Sequence, residues 1–171
     1  GDAELGDLDP DEDLLAARTE VEATLPSPWQ TSDESIVRAV WQLEYVLRSI
    51  DRLEIRGRDS AGVSILVTFP SNAAMTGFRE QVARAGQSRE LTRRESMTGL
   101  VSGAIAGERR AASSQPSLSF IYKVAAEIGA MGQNVSQLRD AIRDDAVLSV
   151  ALRTPDIAVN VLGHTRWASN G

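Results

Sequence analysis

Between Asp33 and Pro70 the sequence changes its hydrophobic period, and that change limits what the chain can fold into. Ile36, Val37, Val40, Leu43, Leu47, Ile50 and Leu53 recur at steps of three and four residues, which is one stripe of an α-helix. Asp33 stands where an N-cap would accept the first free amides, and Gly57 where the chain would leave the helix. A few residues later, 62–69 is rich in Val, Ile and Thr and almost continuously apolar up to Pro70. Such a run predicts a strand buried on both faces. An amphipathic helix leading into an internal strand implies a sheet carrying helices, and the expected class is α+β.

The rest of the chain extends that reading. Pro10 and Asp11 to Asp13 suit the first turn of an acidic helix continued by Leu14, Leu15, Arg18, Val21 and Leu25, since acids favour the positive end of the helix dipole. Pro26-Ser27-Pro28 would end it and leave Trp29 to anchor the connection on the core. Ser71 or Asn72 is expected to cap a helix reaching about Arg84, and a polar, Arg-rich stretch from Gln87 to about Arg110 reads as helical before a linker at Ser113, Ser114, Pro116 and Ser117. A second strand is expected at 118–126, a glycine-containing loop at 129–134 opening a helix through Leu138, Ile142 and Asp145, and a third strand at 156–163.

Composition removes several function classes. At 171 residues, 42% apolar and 25% charged, the chain suits one compact domain. No apolar run approaches the roughly 20 residues of a membrane-spanning helix, and no leader is seen, so the cytoplasm is expected. Cysteine is absent, which excludes disulfides, thiolate metal sites and a cysteine nucleophile among these residues. One histidine without cysteine gives no metal-ligand cluster, and no metal or cofactor is expected. The net charge of −6 is uneven: Asp2, Glu4, Asp7, Asp9, Asp11, Glu12, Asp13, Glu20 and Glu22 stand against Arg18 alone. That arm contributes −8 and leaves the remainder at +2, so nucleic acid is not an expected partner. Glu80 with Arg84 and Glu90 with Arg94 have the spacing of ion pairs on a solvated helix face. Gly99, Gly103 and Gly107 repeat every four residues, as in a close helix contact or a mobile stretch. Ser60, His164 and Asp59 supply the residue types of a hydrolase triad, but no G-x-S-x-G elbow accompanies them.

Two segments carry the chemistry. Arg56-Gly57-Arg58-Asp59-Ser60-Ala61-Gly62-Val63 lies at the helix-to-strand junction, and Gly163-His164-Thr165-Arg166-Trp167-Ala168-Ser169-Asn170-Gly171 follows the third strand. The first closely resembles the R-G-Y-D-S-A-G signature of glutamine-dependent fructose-6-phosphate aminotransferases, the glucosamine-6-phosphate synthase family. The second resembles that family's H-T-R-W-A-T-H-G glutamine loop. The likeness covers roughly 35–69 and 121–171, including the leucine-rich helix before the first string and Gln137-Leu138-Arg139-Asp140-Ala141-Ile142 before the second.

The resemblance implies an N-terminal-nucleophile hydrolase fold, a four-layer αββα sandwich, present here in part. Residues 1–33 would then be an acidic N-terminal segment or insertion and 34–171 a partial class II glutamine amidotransferase domain, with 70–117 a second insertion. Arg166 would grip the α-carboxylate of glutamine through two parallel charge-assisted hydrogen bonds, a geometry lysine cannot copy. Trp167 would act as a gate, although a core aromatic is its ordinary reading. Ser169 and Asn170 stand where the family usually has Thr and His; serine keeps the hydroxyl, and asparagine keeps a hydrogen-bonding group without the imidazole. Arg56 would order the site, Gly57, Asp59, Ser60 and Gly62 would fix the junction, and His164 and Thr165 would be structural members of the second motif.

By the same resemblance the nucleophile is an N-terminal cysteine whose α-amino group acts as base, giving a thioester and ammonia. This chain begins with Gly1 and is expected to be inactive alone, with no catalytic residue of its own. The parent, a homo-oligomer, would pass ammonia from glutamine to fructose 6-phosphate held by sugar isomerase domains outside these residues. Two alternatives stand beside this: a catalytically dead glutamine-sensing or assembly domain, and another class II amidotransferase with a different acceptor. Amidophosphoribosyltransferases usually have tyrosine where Trp167 stands, which favours the sugar enzyme.

Overall fold

The computed structural model describes residues 34–53, 60–99, 101–108, 115–125 and 132–166, with backbone alone at 34, 35, 108 and 166. In chain order these form helix α1 (Glu34–Leu53), strand β1 (Ser60–Thr68), helices α2 (Asn72–Arg84) and α3 (Ser88–Glu95), strands β2 (Ile105–Glu108) and β3 (Ser117–Val124), helices α4 (Gln133–Arg143) and α5 (Ala146–Leu152), and strand β4 (Ala158–Arg166). The strands make one antiparallel sheet in the order β2-β3-β1-β4. The chain is α+β.

Alternation along the strands separates the two faces of that sheet. Ala61, Val63, Ile65 and Val67 of β1 share a face with Leu118, Phe120 and Tyr122 of β3 and Ile105 of β2, and all eight are buried. Every described helix packs into this one cluster: α1 through Leu43, Leu47 and Ile50, α2 through Phe78 and Val82, α3 through Leu91, α4 through Leu138 and Ile142, α5 through Leu148 and Leu152. Burying each such side chain contributes about 1.5–3 kcal/mol before conformational entropy is subtracted. Among the described residues no helix is long and apolar enough to cross a membrane.

The other face differs from expectation. Gly62, Ser64, Leu66 and Thr68 alternate with the core residues, and the last three are only half-buried. The Ser64 hydroxyl bonds that of Ser119 at 2.7 Å and Thr68 bonds Ser117 at 3.3 Å, a polar ladder across β1 and β3. On β4, Ala158, Asn160, Leu162 and His164 are exposed. The run at 62–69 is therefore one-sided: its apolar look came from Leu66 and Gly62 filling the gaps between core positions.

Caps explain the element boundaries. Ser71 is extended (φ −159°, ψ 166°) and its hydroxyl accepts the Ala74 amide at 3.1 Å, which starts α2. The helix expected to run through Asp145 stops at Arg143, because Asp145 turns its carboxylate onto the Val147 and Leu148 amides, both at 2.9 Å, and begins α5. The helix expected over 87–110 also ends early, at Glu95. Only Leu91 and Arg94 of α3 face inward, whereas Ala104 and Ile105 are buried beside β3. Gly103, at φ +85°, turns the chain into β2. Gly99, Gly103 and Gly107 thus belong to a turn region and a strand and form no helical stripe. The stretch 72–108 shares the core and the sheet with the rest.

Candidate functional site

Because β4 returns antiparallel beside β1, Ser60 lies opposite Arg166, Ala61 opposite Thr165 and Gly62 opposite His164. Two strings separated by about a hundred residues of sequence thus meet on adjacent strands at one end of the sheet. Of the candidate residues, Ser60, Gly62, His164 and Thr165 are described in full and Arg166 through its backbone; Arg56, Gly57, Asp59, Trp167, Ser169 and Asn170 lie outside the described residues.

Gly62 and His164 explain each other. A Cβ at Gly62 would lie 3.0 Å from both ring nitrogens of His164, so the imidazole lies over a backbone that only glycine leaves clear. Gly62 does not take a left-handed φ; its role is to admit a neighbour and not to make a turn. Across β1 from His164, Gly62 pairs with Lys123, and the row Lys123, Gly62, His164 brings the sole lysine and sole histidine to the face away from the helices. The Lys123 ammonium donates to the Gly99 carbonyl at 3.4 Å, and its amide to the Ser102 hydroxyl at 2.9 Å. Ser60 and His164 are diagonal neighbours across the strands and are not hydrogen-bonded to each other, so no serine–histidine pair is assembled.

Gly163 serves a different contact. A Cβ there would come within 2.6 Å of Val46 Cγ1 and 2.9 Å of Ile50 Cδ1 on α1. The glycine lets the helix lie close against β4 and so holds the second motif in register. Arg139 on α4 clamps the same helix, donating to both carboxylate oxygens of Glu44 at 3.0 and 2.9 Å. That hydrogen-bonded pair raises the Arg139 pKa, against a smaller opposing effect of burial.

A second polar cluster lies on the helical side. Arg94 is 5% exposed. It meets Asp145 Oδ2 at 2.7 Å, donates Nε to the Gly103 carbonyl at 2.6 Å, and sets its guanidinium 5.7 Å from the Phe120 ring centroid. The Tyr122 hydroxyl donates to the same carboxylate oxygen at 2.5 Å. Burial lowers the Arg94 pKa, but Asp145 and Tyr122 outweigh it and the net shift is upward. Burial first, then the Asp145 charge, push the Tyr122 phenol well above its ordinary value. The spacing that suggested a Glu90–Arg94 pair misassigned the partner: Glu90 binds Arg93 at 2.7 and 2.8 Å, because Arg94 is on the side of α3 facing the core. Glu80 and Arg84 do pair, at 3.5 Å on the surface.

An open groove of about 450 Å³ borders this cluster, lined by Gln87, Arg93, Ser102, Tyr122, Asp144 and Val147 among others. Within the wall Arg93 pairs with Glu90 at 2.7 Å, and Asp144 pairs with the adjacent Arg143 at 2.9 Å. No group of three or more His, Asp or Glu side chains able to hold a metal occurs among the described residues. No family model, curated protein or solved structure matches the chain.

Proposed function

We propose that this chain is the glutamine-binding portion of a class II amidotransferase, in a parent that releases ammonia from glutamine for transfer to fructose 6-phosphate. The observation that carries the reading is the β1–β4 register, which sets Ser60 against Arg166 and Gly62 against His164. The two strings resemble parts of one site, and a shared site requires them to be neighbours. On this reading the Arg166 guanidinium forks onto the α-carboxylate of glutamine, with Trp167, Ser169 and Asn170 lining the pocket and Arg56 ordering it. The Ser60 and His164 positions border it on the sheet.

The one-sided sheet also favours the N-terminal-nucleophile fold for the parent. Leu162 is 72% exposed and Leu66 half-buried on the face that carries no helix among the described residues, and a second sheet stacked about 10 Å away would cover both. No cysteine occurs in the 171 residues, so the thiol that would attack the glutamine amide is not among them, and this chain binds without turning over. Calorimetric titration with L-glutamine tests the assignment. Heat of binding is expected for the native chain and for Arg153→Ala, and none for Arg166→Ala. A native chain that does not bind glutamine, or an Arg166→Ala variant that binds as well as native, overturns it.

A further inference from the structure

The two edges of the sheet are built differently. At one end of the order β2-β3-β1-β4 stands β2, four residues long and ending in Glu108. Shortness and charge are how a sheet edge is kept from pairing with another chain. At the other end stands β4, nine residues long, with no proline, aspartate, glutamate or lysine and its one arginine at the last position. It pairs with β1 over all nine positions without a bulge. On its outer side β4 has no strand beside it among the described residues, and none of its amides or carbonyls bonds a described turn, loop or cap. No residue from 158 to 165 is buried, and Leu162, at 72%, is the most exposed large apolar side chain described.

Such an edge is a template for one more strand, and β4 complements its own reverse. A two-fold axis perpendicular to the sheet pairs two copies of β4 antiparallel and keeps the helices of both on one face. Leu162 is the midpoint of β4, so an axis there pairs all nine residues, and any other centre leaves part of the strand unpaired. On the open face this register sets Leu162 against the partner's Leu162 and Asn160 against the partner's His164. It carries Arg166 to the far end against the partner's Ala158, so no like charges are opposed. On the helix side, Glu44 binds Arg139 of α4, whereas Val46, two residues on and so on the opposite flank of α1, lies against Gly163. That flank, Gln42, Val46, Ser49 and Leu53, carries no charge, and Leu53 is 53% exposed. Two copies of α1 can therefore approach across the same axis without charge repulsion along it.

We propose that this chain forms a symmetric dimer by pairing β4 with β4 of a second copy, which joins the two sheets into one antiparallel sheet of eight strands. The short, charged β2 then forms both outer edges and stops further growth, so the assembly closes at two. Leu162 gains its twin across the axis, and the open face of the joined sheet stays available to a stacked sheet. The two Arg166 positions lie about 27 Å apart along the strands, at about 3.4 Å per residue. The partner's Asn160 borders each β1–β4 end beside His164. The pairing rests on the free edge and does not need the glutamine reading.

Sedimentation equilibrium of the full chain is expected to give twice the chain mass of 18.4 kDa, and Leu162→Lys, which opposes two like charges at the axis, is expected to give 18.4 kDa. The absence of native cysteine makes the register readable. Under mild oxidation Leu162→Cys is expected to become a disulfide-linked dimer, since directly opposed residues approach within disulfide reach. Asn160→Cys alone, whose two copies are offset by about 14 Å along the strands, is expected to stay unlinked until it is mixed with His164→Cys. All three positions are exposed, so none of these substitutions enters the core. Every measurement is made without glutamine, which separates its failure from a failure to bind glutamine. A native chain that sediments as a monomer, or a dimer that Leu162→Lys leaves intact, overturns the proposal. So does Asn160→Cys linking to itself as readily as Leu162→Cys, which would place the second copy on the open face or in another register.

Discussion

Arg94, Asp145 and Tyr122 are as polar a group as Ser60, Lys123 and His164, yet the two stand in opposite relations to the core. In the former the Asp145 carboxylate serves Arg94, Tyr122 and two amides of α5 at once, and the Phe120 ring lies beside the guanidinium whose Nη2 has no hydrogen-bond acceptor. That network ties α3, β3 and α5 together, with its bonding capacity largely spent. At the β1–β4 end, His164 lies exposed over a glycine and Ser60 is half-buried. Polar groups left facing solvent are the ones able to recognise something else. The contrast places stabilising contacts in the buried cluster and, on the proposed function, the binding groups at the sheet end, and substitutions can test the division.

The largest effect is expected at Asp145. Asp145→Ala removes the ion pair, the cap of α5 and the acceptor for Tyr122, and leaves Arg94 buried without its anion. Losing one member of a buried pair costs about 3–5 kcal/mol, read as a lower midpoint in denaturant unfolding. A loss below about 1 kcal/mol, the scale of an exposed pair, would show that the network is solvated and erase the distinction.

That cluster is also where sequence was least informative. Arg94 lies four residues after Glu90 and one after Arg93, and nothing local distinguishes an arginine pairing along a helix surface from one driven inward; the difference arises only when Phe120, Tyr122 and Asp145 arrive from β3 and the start of α5. Long periodic elements were legible for the opposite reason: Ile36 to Ile50 and Leu118 to Tyr122 carry their burial pattern in their own spacing, although Leu53, the last residue of the expected stripe, is exposed. β2 was hidden because Ile105-Ala106-Gly107-Glu108 becomes a strand only by pairing with β3. At the sheet end the residue types of both motifs were legible, whereas their adjacency came from strand order, and the role of Gly62 came from a side chain on another strand.

Tyr122→Phe should produce the next effect, and it depends on pH. Removing a hydrogen bond to a charged acceptor costs about 1.5–3 kcal/mol at neutral pH. The folded phenol is raised in pKa by burial and by Asp145, so its contribution is complete below the unfolded value of about 10. Above that, the unfolded chain releases the proton while the native chain keeps it, and stability falls as pH climbs toward the folded value. The phenylalanine variant should lose this component of alkaline destabilisation. If both proteins weaken in parallel above pH of about 10, Tyr122 is not shielded as its burial implies.

The smallest effects come from two glycines on neighbouring strands, and they sharpen the comparison. At Gly163 an added Cβ meets Val46 and Ile50, side chains wedged between α1 and the sheet, so Gly163→Ala should cost about 1–3 kcal/mol through overpacking. At Gly62 the obstacle is the ring of an exposed His164, which can rotate into solvent, and Gly62→Ala should cost less than about 1 kcal/mol while moving the imidazole. Unfolding midpoints give the energies and the His164 ring signals in NMR report the displacement. A Gly62→Ala cost equal to that at Gly163 would mean that His164 is held in place over β1. The imidazole would then belong to the framework of the sheet, and the surface available to a ligand would shrink to the Ser60 and Arg166 positions.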